Sequence, residues 1–434
     1  MILEGYLNQL KEKGKIHIVD KPISKKLEIA AVLNKMQPEP VLFKNVKESD
    51  FHVVGNLFCT KQQIASYFDI GVQDIIPTLT EAIERRSPPQ EVENAACQEV
   101  VESDVDLTRL PILFHNEVDG GPYISSGVVV ASHPDYGQNL DFHRAMQIGK
   151  DRMVTRVVRG RDFHGFLEEE GELDVAYCIG NTPEVLIAAA TSVETGVNEL
   201  EIANALREMR VTKAKTVDLL IPADCEFVLE GTVYLEEKQD EGPFIDLTET
   251  VDVVRQEPVF EVKKITHRKT GIWQALLPGK LEHKLLMGMP REPTVFRKVK
   301  ERGVDVLDVY ITPGGASWLH IALKIDKKHD DDGLRAIEAA FEGHTSGKHV
   351  WVYDKDIDIY DEREREWAMA TRFQADEDLL VKDREPGSSL DPSAEPDTKM
   401  TTKVGFDCTK SLETKGKSFA KAKFPDVDLK KFMG

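Results

Sequence analysis

Between Ser125 and Ile265 the chain is cut into short runs rich in Val, Ile, Leu and Thr: Ser125 to Ala131, Met153 to Val158, Val175 to Ile179, Phe227 to Leu235 and Val259 to Ile265. Turn residues separate them, and one helical stretch, Glu199 to Met209, interrupts the series. So many short strands without regularly alternating helices favour a barrel over a doubly wound sheet. At 434 residues and 41% hydrophobic content, the chain is too long for one ordinary core and too apolar for disorder, so two or three domains are expected.

The flanks read differently. Leu3 to Lys11 has apolar residues at three and four, a helix closed by Gly14; Leu27 to Met36 is a second helix. Strands Pro40 to Val46 and Phe51 to Phe58 follow, then a helix to Phe68 capped by Thr60. Residues 1–104 are thus expected to be an α/β unit, with 105–290 the barrel. From Arg291, helix Val295 to Lys300, strands Val304 to Ile311 and Leu319 to Ile325, helix Leu334 to Phe341 and strand His349 to Tyr353 predict an α/β domain over 291–382. Residues 383–434 open on REPGSSLDPSAEPDTKMTTK, a composition expected to lie outside any core, over the surface or over a neighbouring subunit.

A formal charge of -20 argues against nucleic acid and anionic membrane as partners. An anionic ligand then has to be caught by a local basic patch or a metal ion. No apolar run approaches the roughly 20 residues of a membrane span, and the N-terminus lacks a signal peptide's apolar stretch, so a cytoplasmic location is expected. Five scattered cysteines, none spaced as CxxC, suggest neither a disulfide framework nor structural zinc.

Three motifs compete poorly. GHTSGKH is one residue short of a phosphate loop, His329 to Asp332 reads as a solvated charge cluster before a helix, and Gly314 with Gly315 reads as a turn. EGPFID is different in kind: Gly242 and Pro243 fix a turn between Glu241 and Asp246, and two acids so held can be driven to different pKa values for acid–base work. The ordinary alternative is a polar hairpin tip. NLDFHR adds Asn139 as an oxygen ligand and Arg144 as a fixed charge for a carboxylate; Glu199 starts a helix just after a turn. Such oxygens suit magnesium or manganese bridging a phosphate. Arg156, Arg159 and Arg161 form a dense cluster, with Arg159 and Arg161 expected on one face of a strand, as a phosphate grip or a solvated strand end.

Taken together, VLFKNVKESDFHVVGNLF, VDLTRLPI, DGGPYISSGVVV, NLDFHRAMQIGKDRM, FVLEGTVYLEE, EGPFID, GGASWLHIALKI and DKDIDIYDEREREWAMATR resemble the UbiD-type decarboxylase family over nearly the whole chain. The resemblance implies an α+β protein: an N-terminal α/β unit, a central split β-barrel of the flavin-reductase type and a C-terminal α/β oligomerisation domain. It implies prenylated FMN, Mn2+ or Mg2+ and a candidate K+ ion, with a flavin prenyltransferase supplying the cofactor and a homo-oligomer as the assembly. By motif, Arg144, Glu241 and Asp246 would be catalytic, the last being the acid that exchanges a proton with the reacting carbon, at a place commonly held by glutamate. Asn139, Arg144, Thr191, Ser192 and Glu199 would bind the cofactor, and Asn139, Glu199 and Asp162 the metal, with His164 the alternative third ligand. The chain's length is similar to that of the archaeal branch, which decarboxylates trans-anhydromevalonate 5-phosphate to isopentenyl phosphate in an archaeal-type mevalonate pathway. A hydroxybenzoate-like acid, or a non-catalytic flavin-binding subunit, are the rival expectations.

Overall fold

The computed structural model describes residues 2–413, 418–422 and 424–432. The N-terminal helices Leu3–Glu12, Glu28–Met36, Lys61–Phe68 and Ile75–Glu84 surround a four-stranded sheet ordered His17–Val19, Val41–Phe43, His52–Gly55, Ile272–Ala275. Thr60 caps its helix through a reciprocal exchange with Gln63, as the sequence predicts. The last strand comes from far downstream and lies parallel to His52–Gly55, so this unit is not contiguous in sequence.

The centre is a nine-stranded sheet in which every pairing is antiparallel. Its spine is the long pair Phe227–Glu241 and Arg255–His267, flanked on one side by Arg152–Thr155, Ala145–Gln147 and Tyr123–Ile124. On the other side lie Glu172–Ile179, Val128–His133 and Gly137–Phe142. The spine slips register between Glu230 and Gly231, where a Cβ on Gly231 would stand 1.9 Å from the Glu261 carbonyl oxygen; only glycine permits that approach. Both faces are buried. Val128 and Val130 join one core while Val129 and Ala131 join the other, which is why these strands read as continuous apolar runs. The helix Pro183–Ala190, buried on every side, packs in the first of these cores.

The third sheet is ordered Val306–Ile311, His320–Ile325, His349–Asp354, Met400–Cys408, Leu379–Pro386. This corrects the expectation for residues 383–434: the supposed tail begins inside one strand and supplies another, paired parallel to His349–Asp354. Its polar residues are buried with partners. The Lys403 ammonium donates to the Thr345 carbonyl, and the Asp407 carboxylate accepts from the Thr409 amide and hydroxyl. Residues 414–417, 423, 433 and 434 of that stretch lie outside the described residues. The expected boundary at 290/291 falls within a helical run, Leu281–Gly288, Met289–Arg291 and Glu292–Glu301.

That run is fastened to the N-terminal unit by two buried carboxylates. Glu282 accepts the amides of Asn56 (3.0 Å) and Phe58 (3.1 Å), and Glu292 pairs with Lys61 at 2.5 Å. Burial pushes the Glu282 pKa up to about 8 against its ordinary 4.5. Between those values the folded state holds a proton that the unfolded chain has released, so this residue makes the fold less stable as pH rises through the window. Glu282→Ala, which strands two buried amides, is expected to cost about 2–4 kcal/mol in urea unfolding; a loss below about 0.5 kcal/mol rejects the fastening role.

Candidate active site

Two glycine turns bring the site together. A Cβ on Gly120 would lie 2.1 Å from the Gly242 carbonyl oxygen, and the Gly120 amide donates to the Pro243 carbonyl at 2.8 Å. Gly242 itself has φ +98, a conformation glycine adopts without strain. DGGP and EGP therefore stack on one another at the end of the long strand Phe227–Glu241, and Glu241, its last residue, is completely buried.

Arg144 meets Glu241 in a two-pronged contact, Nε to Oε1 at 2.8 Å and Nη2 to Oε2 at 2.9 Å. Nη2 also donates to Asp252 at 3.1 Å, and Nη1 lies 3.6 Å from Asp246. The Tyr123 hydroxyl donates to Glu241 at 3.0 Å, and the Phe244 ring lies 5.0 Å beneath the guanidinium. Burial works against the arginine's charge, but Glu241, Asp246 and Asp252 outweigh it and keep Arg144 protonated. Burial likewise raises Asp252, yet Arg255 and Arg144 carry its carboxyl below the usual range. The structure thus brings Arg144, Glu241 and Asp246 together as their motifs imply. Asp246 is the loosest member, partly exposed, with one oxygen taking the Leu247 amide.

Sequence reasoning missed Tyr123, Asp252 and His283. Burial pushes the pKa of His283 down to about 4, with Asp246 the nearest opposing charge and Arg144 a reinforcing one. Its Nδ1 accepts the Gly279 amide at 2.9 Å, so the neutral ring carries its proton on Nε2. Nothing in the spacing of helix Leu281–Gly288 marks it. The signal available was EGPFID, whose turn requires something to face it.

The second cluster lies around Glu199, the first residue of helix Glu199–Leu206. Its carboxylate accepts the Leu140 amide at 2.8 Å, and burial, with Asp141 and Asp162 adding, pushes its pKa up to about 8. Asn139 is buried beside it in strand Gly137–Phe142, with its Nδ2 unpartnered. Asp162 opens helix Asp162–Glu170 and accepts the Thr195 hydroxyl at 2.8 Å; His164 turns instead to Glu168 on its own helix, 3.3 Å away. Among the described residues no three His, Cys, Asp or Glu side chains close on one point. A carboxamide beside crowded, partly desolvated carboxylates is nonetheless a donor set that fits a hard divalent cation. His143 adds to the crowding: its Nε2 is 2.7 Å from Asp141 and its Nδ1 2.9 Å from the Arg156 carbonyl.

The Thr191 hydroxyl is spent on the Ile187 carbonyl at 2.8 Å, while Ser192 Oγ lies 3.5 Å from Arg161. The arginine cluster is not on a strand, a correction: Arg152–Thr155 ends before it, and 156–161 run as an irregular segment into the next helix. Gly160, at φ +76, turns the chain between Arg159 and Arg161, which are both exposed, while Arg156 binds Glu257. All five cysteines are free and buried.

Arg144, clasped by Glu241 and with Asp246 at its partly open rim, can take a carboxylate, and the oxygen cluster at Glu199 can take a hard cation. Models of the 3-octaprenyl-4-hydroxybenzoate carboxy-lyase N-terminal, Rift-related and C-terminal domains match residues 7–83, 90–281 and 284–408, and the chain belongs to this UbiD family of carboxy-lyases. It is 40% identical to the anhydromevalonate phosphate decarboxylase of Methanothermobacter thermautotrophicus over 94% of this chain and 97% of that one. Its identity to the decarboxylase of that name from Methanocaldococcus jannaschii is also 40%, with the same coverage. Among solved structures it is similar to the UbiD-class enzyme HmfF from Pelotomaculum thermopropionicum in complex with FMN, at 33% identity and TM-score 0.95 over 100% of both chains. An evolved dimeric form of that enzyme with prFMN matches at 31% identity and TM-score 0.91, again over 100% of both chains.

Removing Arg144 leaves a fully buried Glu241 without its counter-charge. Arg144→Met is expected to lower stability by about 3–5 kcal/mol, and Arg144→Met with Glu241→Met to recover part of that loss. A double variant no more stable than the single one, measured by denaturant unfolding, rejects the pair as the cause.

Proposed function

We propose that the chain is a prenylated-FMN-dependent decarboxylase that converts anhydromevalonate phosphate, in its trans 5-phosphate form, to isopentenyl phosphate and CO2. The observation that carries the reading is the Arg144, Glu241 and Asp246 arrangement, found in a chain that matches named decarboxylases of that substrate over 97% of their length. The nine-stranded sheet is the split barrel that receives the flavin. Asn139, Glu199 and Asp162 would hold Mn2+ or Mg2+, and Thr191 and Ser192 on the neighbouring loop would bind the cofactor. When bound, prenylated FMN supplies an electron sink for carbon–carbon bond cleavage.

The remaining work falls to side chains. Arg144, fixed by Glu241 and Asp252, offers a fork whose Nη1 edge is the least engaged, and so orients the substrate carboxylate. The bond from the carboxyl carbon to its neighbour breaks and CO2 leaves. The electron pair left behind takes a proton from Asp246, which recovers one from solvent at the partly open rim. Tyr123, donating to Glu241, keeps that carboxylate from turning toward the substrate. Among the described residues no helix is long and apolar enough to cross a membrane. A cytoplasmic homo-oligomer, loaded by a flavin prenyltransferase, completes the proposal.

The test is anaerobic purification after co-expression with such a prenyltransferase, with mass spectrometry of the cofactor and turnover of anhydromevalonate phosphate beside hydroxybenzoates. Turnover of the phosphorylated acid is the expected result; turnover of aromatic acids alone, or absence of prenylated FMN in the folded protein, overturns it. Glu241→Gln, which takes the counter-charge from the fork that fixes Arg144, is expected to keep the cofactor and to lower kcat on the order of 10²-fold, the scale of a misplaced substrate-positioning group. Unchanged kcat removes Glu241 from the mechanism.

A further inference from the structure

Helix Leu281–Gly288 begins with charges in an unfavourable place. Lys280 immediately precedes its first turn and Lys284 follows one turn later, so two ammonium groups share a face at the end of a helix where its dipole is positive. Both the dipole and their mutual repulsion oppose that arrangement. One carboxylate offsets it: Glu249 Oε2 lies 2.6 Å from Lys280 Nζ, and Glu249 Oε1 pairs with Lys284 Nζ. The Lys284 side chain is only 12% exposed, so its half of the clip is largely shielded from water. Burial raises the Glu249 pKa, yet the two lysines outweigh it and hold the carboxyl below its usual range.

Glu249 belongs to the hairpin that carries Asp246. Strands Phe244–Ile245 and Val251–Asp252 pair, and Asp246 closes the turn between them: its amide donates to the Thr250 carbonyl at 3.0 Å, and its carbonyl accepts the Glu249 amide at 2.8 Å. Glu249 has φ +64, a conformation that a glutamate keeps only where its surroundings impose it. The inner face of the hairpin turns Phe244 and Asp252 to Arg144. On the outer face Val251 and, just beyond it, Val253 are 53% and 63% exposed, so little packs on the hairpin from outside. Beneath the turn, a Cβ on Gly279 would stand 2.7 Å from the Asp246 carbonyl oxygen and 3.2 Å from Glu249 Cγ. The turn rests on the chain just before the helix, and the Glu249 clip fastens it there.

We propose that Glu249, clipped by Lys280 and Lys284, is a positioning residue that holds the hairpin turn against helix Leu281–Gly288 and so sets where the Asp246 carboxylate stands at the Arg144 fork. An exposed ion pair by itself contributes little. This one acts through the backbone, because the turn hydrogen bonds that fix the place of Glu249 are made by Asp246 itself. The Asp246 side chain is the most loosely held of the site, 3.6 Å from Arg144 Nη1, so its position is inherited from the turn beneath it. The role rests on the function proposed above in taking Asp246 as the proton donor; the clip does not depend on which acid is decarboxylated.

The experiment compares wild type with Glu249→Ala, Glu249→Gln and Asp246→Asn. Amide hydrogen exchange over residues 244–252 is followed by mass spectrometry in the flavin-free chain, and kcat, KM and the solvent deuterium isotope effect are measured on the loaded enzyme. In Glu249→Ala, exchange is expected to quicken about tenfold in that hairpin alone. Its kcat falls on the order of 10- to 50-fold with KM within about threefold of wild type, and the isotope effect on kcat rises because proton delivery becomes slow. Glu249→Gln, which keeps an oxygen for one lysine, restores part of kcat. Exchange within about twofold of wild type overturns the proposal, and so does faster exchange that leaves kcat and the isotope effect unchanged. A fall in kcat without a rise in the isotope effect overturns it as well, since loss of folded protein alone would give that. Should Glu249→Ala not fold, Glu249→Gln is read against the same criteria. If Asp246→Asn turns over as wild type does, or wild type turns over no acid, the function falls, and the clip is judged by the exchange alone.

Discussion

The pair between Arg144 and Glu241 organises the rest of the site. Neither charge is tolerable alone at that depth, so each fixes the other, and the geometry of the two-pronged contact fixes both planes. Everything nearby follows from holding it. The glycine turns approach to bring the end of the long strand to Arg144, Tyr123 takes the remaining capacity of one Glu241 oxygen, and Asp252 takes the spare Nη2. The one carboxylate left loosely attached is Asp246, at the partly open rim.

The electrostatic plan beyond the pair is segregated. Carboxylates crowd at Glu199, Asp141 and Asp162, with Asp141 held by His143, while the exposed Arg161 touches a hydroxyl and no carboxylate. Neighbouring residues, Arg161 and Asp162, mark the seam between them. On the function proposed, a divalent cation would offset the crowded carboxylates and let a chain of charge -20 hold a phosphate without a basic surface.

Much of this was legible in the sequence because it is local. Thr60 with Gln63, the alternation from Val295 onward, and the acids flanking Gly242 and Pro243 are short-range patterns with one structural solution each. The misses are long-range. Strand Ile272–Ala275 completes a sheet whose other members lie more than two hundred residues earlier, and no periodicity announces that. Asp252, His283 and Glu249 acquire meaning only from what faces them. Composition misled at 383–434, since Lys403 and Asp407 argue for solvent until Thr345 and Thr409 are found to satisfy them. The same blindness put Arg159 and Arg161 on a strand, where Gly160 at φ +76 turns the chain between them.

The strand Met400–Cys408 sits between His349–Asp354 and Leu379–Pro386, although it is made after both. During synthesis the third sheet therefore cannot zip up in the order in which it emerges. Until Cys408 has left the ribosome, His349–Asp354 offers an unpaired edge, with Trp351 uncovered by its later partner Phe406. The last strand of the sheet to appear is the one that seals it, so a nascent chain released before it would expose a sticky edge rather than a nearly finished domain.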